Sequence, residues 1–285
     1  MHKIPKIAHF YWGAQLLPFL NFLTLVTFKY FHPEWKIVLY RPNEDSISGE
    51  ASWDEHMQKV MYKGRDFIKS AEELVDEVKH APFGDITLLR AHDVHKSDYV
   101  RWYALYHFGG LWCDTDVLWL KPIAEVKVPL ETDIMICHTH PRPKKRGYYS
   151  IGVLAAIKGT EFYASLLEAC KVKYDPSDYQ CLGADMIRDM YPNPSDIKGL
   201  YVYNISMSVV YPYHYKHGMD KLYNMMFPDN ICSSTVALHW YGGTELSMEN
   251  INKIRFDNFR DLEHKSTMGR VLTRLDRRIQ FETFI

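Results

Sequence analysis

The chain has 285 residues (33.5 kDa), is 47% hydrophobic, and carries a formal net charge of -1 with a pI near 6.9. That length suffices for one large α/β domain with a sizeable core, and no Gly/Ser/Pro-rich linker divides it. Near neutrality lacks the basic excess that phosphate-backbone contacts call for, so no nucleic-acid partner is expected.

The five cysteines (Cys113, Cys137, Cys170, Cys181 and Cys232) are odd in number, scattered and free of C-x-x-C spacing. This argues against a disulfide framework or a zinc ribbon and fits a reducing, cytoplasmic setting. In chain order, Lys6 to Trp12 reads as a short strand ending at Gly13, beginning too early for a secretory signal to precede it. Leu16 to Phe31 follows; broken by Pro18, Asn21 and Lys29, it falls short of the ~20 apolar residues of a transmembrane segment and reads as a core helix. "PEWKIVLYRP" gives a second strand closed by Pro42, completing a β-α-β opening. Ser52 to His80 is rich in charge and helix formers and reads as helices with loops. "SDYVRWYALYHFGG" reads as a helix with Ser97 as N-cap and Gly109 and Gly110 as stop signals. Strands are expected at Asp133 to His138 and Ile151 to Ile157, the latter leading into the helix "TEFYASLLEACKVKY". The alternation predicts an α/β sheet of the doubly wound kind.

The chemistry centres on "FGGLWCDTDVLWLKP", residues 108 to 122. Read as a buried strand, it points Asp114 and Asp116 to one face, with Thr115 to the other. Two convergent carboxylates repel unless compensated, and a divalent cation at the carboxyl end of a sheet strand is the simplest compensation. Oxygen ligands favour Mg²⁺ or Mn²⁺, and such an ion keeps positions open for the oxygens of a diphosphate. A solvated turn is the competing reading of a bare D-x-D. The preceding helix is apolar nearly all round yet carries Asp98 and Arg101 on one face, either as a structural ion pair or as groups aimed into the same pocket as the aspartates.

"SDYVRWYALYHFGGLWCDTDVLWLKP" resembles the signature of the DxD-motif glycosyltransferases, in particular glycosyltransferase family 32 and its relatives, the glucosylating clostridial toxins. "IPKIAHFYWG" and "PEWKIVLY" resemble the opening of that family, so the likeness covers roughly the first 125 residues. Beyond them it rests on "GADMI" and "ALHWYGG". The resemblance implies a GT-A fold, a Rossmann-like mixed sheet flanked by helices. It also implies a nucleotide-sugar donor, UDP-linked, a Mn²⁺ or Mg²⁺ ion, and transfer of a hexose with retention to a glycan or glycoconjugate acceptor. Residues 1–125 would be the donor-nucleotide half and residues 126–285 the acceptor half with a C-terminal lid and helix. By position, Trp12 would stack on the nucleobase, Asp98 and Arg101 would hold the hexose, Asp114 would touch ribose, sugar and metal, and Asp116 would ligate the metal. His239 would complete the metal coordination, with Trp240, Gly242 and Gly243 closing over the diphosphate. A non-catalytic nucleotide-sugar-binding protein of the same fold is the alternative.

The sequence departs from the family at Ser150, Ile151 and Gly152 and at Gly183, Ala184 and Asp185. Asp185 reads either as a catalytic carboxylate near the anomeric carbon or as a helix N-terminal carboxylate. His138 with His140, and His92 with His95, make a zinc hydrolase conceivable, although no third ligand is evident. "RPKKRGYY", Arg142 to Tyr149, is a solvated loop or a grip on an anionic acceptor. The C-terminal helix aligns Val271, Leu272, Leu275 and Ile279 among arginines, for packing on the domain or for peripheral membrane contact.

Overall fold

The computed structural model describes residues 3–43, 51–53, 59–83, 86–139, 147–225 and 231–285. Strand β1 (Ile7–Tyr11) leads into helix α1 (Phe19–Phe31) and strand β2 (Lys36–Arg41). Pro18, with φ -66°, precedes α1, where its missing N–H costs no helical hydrogen bond. The helix is apolar on nearly every side and is accordingly buried along almost its whole length.

The stretch expected to be helices with loops holds three short strands and one helix: β3 (Ala51–Trp53), β4 (Lys59–Met61), α2 (Ile68–Leu74) and β5 (Glu77–His80). β5 pairs in parallel with β2 and is the last strand on that side of the sheet. There Val78 and His80 are exposed and Glu77 and Lys79 half-buried while its backbone is paired, so its composition carries no strand signal. After α3 (Ile86–Leu89), α4 runs from Asp93 to His107 with His92 as N-cap, which places Ser97 inside the helix rather than at its cap. Gly109 and Gly110 then turn the chain with φ of 65° and 96°. A Cβ on Gly110 would sit 2.2 Å from the Ile7 carbonyl oxygen, so this turn into β6 (Gly110–Cys113) requires glycine.

The chain continues through β7 (Val117–Trp119), β8 (Ile134–Thr139), β9 (Tyr148–Ala156), α5 (Glu161–Lys173), α6 (Ala184–Met190) and β10 (Val202–Asn204). It ends with α7 (Met207–Val210), α8 (Met219–Tyr223), β11 (Ala237–His239), α9 (Glu245–Lys253) and α10 (Thr267–Ile279). Seven strands form one mixed sheet in the order β10-β8-β9-β6-β1-β2-β5. All are parallel except β9, which runs against both β8 and β6. This is the mixed, helix-flanked α/β architecture expected.

Alternation along the strands divides the core between the two faces of the sheet. Ile37, Leu39, Leu111 and Cys113 join the cluster that contains α1 and α10. Val38, Tyr40 and Trp112 join the one that contains α4 and α5. On α10, Val271, Leu272, Leu275 and Ile279 are all buried in the first cluster, so this apolar face is occupied by the core rather than offered to a membrane. No helix among the described residues is long and apolar enough to cross a membrane.

Candidate active site at the carboxyl ends of β1 and β6

The two aspartates do not lie in a strand. β6 ends at Cys113 and β7 begins at Val117, so Asp114, Thr115 and Asp116 form the turn between them. The turn is pinned by its backbone. Asp114 N–H donates to Gly152 O (2.8 Å), and Thr115 O accepts from Asn21 Nδ2 (3.0 Å) and Thr24 Oγ1 (2.8 Å) of α1. The convergence of the carboxylates therefore comes from this turn and not from strand alternation. β7 in turn pairs antiparallel with β11, setting His239 opposite Val117 and delivering the imidazole to the same place. Ligand atoms of Asp114, Asp116 and His239 all lie within 4.8 Å of one another, the arrangement expected of a metal-ligand set.

The charges are held in a chain. Arg101 donates from Nη1 to Asp98 Oδ1 and from Nη2 to Asp114 Oδ1 (2.8 Å), joining the helix pair to the D-x-D turn. The ion pair and the pocket thus coexist: Arg101 bridges the two carboxylates and also reaches the cavity wall. Burial, reinforced by the Asp114 charge, pushes the Asp98 carboxyl up to about 6 despite Arg101. Burial opposes the Arg101 charge as well, but Asp114 and Asp98 outweigh it and hold the guanidinium more firmly protonated. Two further partners escaped sequence reasoning. Trp112 Nε1 donates to Asp114 Oδ1 (2.7 Å), and Gly242 N–H donates to Asp116 Oδ2 (2.6 Å). The first had a signal in the sequence, since residues i and i+2 at a strand end share a face; the second joins residues too distant in sequence to suggest each other.

Asp116 Oδ1 is 3.1 Å from His239 Nε2 but not aligned with it as a hydrogen bond, so this buried carboxylate oxygen has no hydrogen-bond donor. Burial works against the Asp116 charge, yet His239 and the Gly242 N–H outweigh it and hold the carboxyl below the usual range. Tyr241 N–H donates to His239 Nδ1 (3.3 Å), and Nε2 is the ring nitrogen that faces Asp116. A divalent cation would sit between Nε2 and the carboxylates. Two carboxylates and an imidazole with an unsatisfied buried oxygen fit Mn²⁺ or Mg²⁺ as a donor set, the imidazole favouring Mn²⁺.

Two cavities meet at this cluster, both reached by Arg101, Asp114, Asp116, Tyr179 and Gly243. The narrower, about 160 Å³, is walled by Trp12, Gly13, Asn21 and Gly242. The larger, about 730 Å³, takes in Asp98, Gly152, Gln180, Asp185 and several tyrosines. Trp12 is therefore at the cleft as expected, with its indole N–H donated to Leu16 O (3.0 Å). Asp185 stands in the first turn of α6 as a helix N-terminal carboxylate, bound to Arg188 (2.6 Å), and its residue lines the larger cavity.

Trp240 is a correction. It is 0% exposed and packed in the core, because it directly follows His239, the last residue of β11, and so faces the opposite way. It cannot touch a ligand in the cleft. Nor is the start of the expected lid loose. Residues 237–239 are paired with β7, Trp240 N–H donates to Asp116 O (2.9 Å), and Ser247 Oγ donates to Trp240 O (2.7 Å). Among the described residues Asp114, Asp116 and His239 are the one group of three or more such side chains placed to hold a metal ion. His138 on β8 and the His92–His95 pair assemble no comparable set, and His140 and Arg142 to Arg146 lie outside the described residues.

Residues 25–135 match the family described as "Glycosyltransferase sugar-binding region containing DXD motif", a span running from α1 through both aspartates into β8. No curated protein sequence matches the chain. Similar solved structures include the PaToxG glycosyltransferase (12% identity, TM-score 0.44, covering 68% of this chain and 73% of that one). Another is a glycosyltransferase involved in glycosylation of the major capsid of PBCV-1 (9%, TM-score 0.45, 87% and 99%). A third is the galactosyltransferase LgtC with donor and acceptor sugar analogues (10%, TM-score 0.42, 88% and 96%). The matched region contains the helix pair and the D-x-D turn found at the mouth of a ligand-sized cavity, and the chain is a glycosyltransferase with a DXD-containing sugar-binding region.

Proposed function

We propose that this glycosyltransferase depends on Mn²⁺ or Mg²⁺, takes a UDP-linked hexose, and transfers the hexose with retention to a hydroxyl of a glycan or glycoconjugate. The observation that carries metal dependence is Asp116 Oδ1, buried without a donor beside Asp114 and His239 at the junction of the two cavities. A divalent ion held by these three residues would neutralise the diphosphate leaving group, the largest charge developing in the reaction.

The nucleoside would occupy the narrower cleft, where the Trp12 ring supplies an apolar wall for the base. Asp98 and Arg101 would bond the hexose hydroxyls from the wall of the larger cavity. The main chain at Gly243 would approach the diphosphate, while the Gly242 N–H is already committed to orienting Asp116. The single-domain division into a donor half and an acceptor half, the UDP base and the retention of configuration rest on the family resemblance. Nucleotide release from a panel of nucleotide-hexoses, with Mn²⁺, Mg²⁺ or chelator, tests the reading. It predicts slow UDP-hexose hydrolysis that chelator abolishes, and a transfer product of unchanged anomeric configuration by NMR. Undiminished turnover in excess chelator would overturn metal dependence.

A further inference from the structure

The larger cavity changes character away from the D-x-D turn. Tyr241 packs edge-on against His239 with ring centroids 4.2 Å apart, and Tyr211 lies 5.2 Å from the same imidazole. Tyr211 and Tyr241 are 6.3 Å apart, and Tyr215 continues the row 6.1 Å beyond Tyr241. Tyr148 and Tyr179 complete the aromatic lining. The row thus begins at the imidazole of the metal corner and ends at rings partly open to solvent, Tyr215 at 36% and Tyr148 at 41% exposure. Tyr241 holds its position at a φ of 49°, a left-handed conformation that residues with bulky side chains adopt at a cost in energy.

The charge of the lining is one-sided. Among the described residues Asp98, Asp114, Asp116 and Asp185 line this cavity, while Arg101 is its one lysine or arginine and already bridges Asp98 and Asp114. Against these described residues, a phosphorylated or carboxylated acceptor would bring a further negative charge to carboxylates with no spare guanidinium or ammonium among them to receive it. An uncharged polyol suits the same wall: ring faces cover its C–H surfaces, and tyrosine hydroxyls and the Asp185 carboxylate bond its hydroxyls.

We propose that the Tyr211–Tyr241–Tyr215 row is the acceptor subsite and that the acceptor it takes is an uncharged saccharide. The saccharide lies against Tyr215 and Tyr241 with one hydroxyl directed toward the D-x-D corner. In transfer, that hydroxyl oxygen bonds to the anomeric carbon as the bond from this carbon to the diphosphate oxygen breaks; the hydroxyl proton leaves with the diphosphate or to solvent. The assignment rests on the glycosyltransferase reading above and narrows its acceptor.

The test uses the full chain with UDP-hexose and Mn²⁺ and four classes of probe: methyl β-glucoside and methyl β-galactoside; glucose 6-phosphate; methyl glucuronide; and a Ser/Thr-containing peptide. The neutral glycosides are expected to accelerate nucleotide release and to appear in the product, with the charged saccharides and the peptide at background. Tyr215→Ala raises the acceptor KM by about tenfold or more, while Tyr215→Phe, which keeps the ring, stays within about threefold of the parent. UDP affinity by calorimetry reports separately on the donor side and stays within about twofold in both variants. Transfer to the charged saccharides or the peptide in preference to the glycosides overturns the acceptor assignment alone, as does an unchanged acceptor KM in Tyr215→Ala. Absence of UDP-hexose hydrolysis and of UDP binding with any divalent ion overturns the donor reading and this assignment with it.

Discussion

At the C-terminal end of α1, His32 is buried against Phe28 and Trp119 with both ring nitrogens bonded, Nδ1 to Phe28 O (3.0 Å) and Nε2 to the Ile123 N–H (2.8 Å). Burial pushes its pKa down to about 4, so it stays neutral and fully paired. At the strand ends, Asp98, Asp114 and Asp116 share one guanidinium and one imidazole, and Asp116 Oδ1 is left without a donor. At His32 the buried polar atoms are balanced by the protein itself. In the cleft they are balanced only in part, and a charge imbalance retained at a cost in stability is what a site built for a cationic ligand and its anionic substrate requires.

The contrast can be broken at each of its parts. The largest effect is expected from Asp116→Asn, which removes a carboxylate from the proposed ligand set. Turnover of nucleotide-hexose falls by about 10³-fold with only a modest drop in melting temperature of the metal-free protein, because the amide oxygen still accepts from the Gly242 N–H while the His239 contact loses its charge. Turnover retained in Asp116→Asn would place Asp116 with the core groups instead. Arg101→Ala acts on stability as well. It strips Asp98 and Asp114 of their common partner and costs about 3–5 kcal/mol in urea unfolding, in addition to activity.

The core side is tested by pH. His32 has a folded-state pKa of about 4, below its ordinary 6.5, so its contribution is complete above pH 6.5 and is lost as pH falls from there to about 4. That loss amounts to roughly 3 kcal/mol. The slope of melting temperature against pH across this window is expected to shrink in His32→Gln. The smallest effect sharpens the geometry of the cleft. A Cβ on Gly152 would lie 2.7 Å from His239 Nε2 and 3.2 Å from Asp114 Oδ2, so Gly152→Ala displaces two proposed ligands. It should weaken metal affinity and turnover by about 10- to 100-fold with little change in melting temperature.

How much of this the sequence discloses depends on whether the cause is local. α1 was legible because an all-round apolar helix has one explanation, and Asp98 and Arg101 because two opposite charges on a buried helix face demand partners. The D-x-D pair was legible as a convergent site, but the turn that makes it converge was not, because Asn21 and Thr24 hold it from more than ninety residues away. β5 was misread because an edge strand in water is charged like a helix surface. Gly152 stood in the sequence as a departure from the family and proves to lie where His239 and Asp114 Oδ2 approach too closely for a side chain. Trp240 was assigned to the ligand together with His239, although consecutive strand residues face opposite ways and only one could reach it.

The claim that the cleft is left unbalanced for a cation is tested most directly by electron paramagnetic resonance of a Mn²⁺ titration, with and without UDP. The account predicts a single bound ion per chain, held more tightly when UDP is present, lost in Asp116→Asn and weakened by about tenfold or more in His239→Ala. Absence of specific Mn²⁺ or Mg²⁺ binding to the parent chain, or equal Mn²⁺ binding by Asp116→Asn, would contradict it.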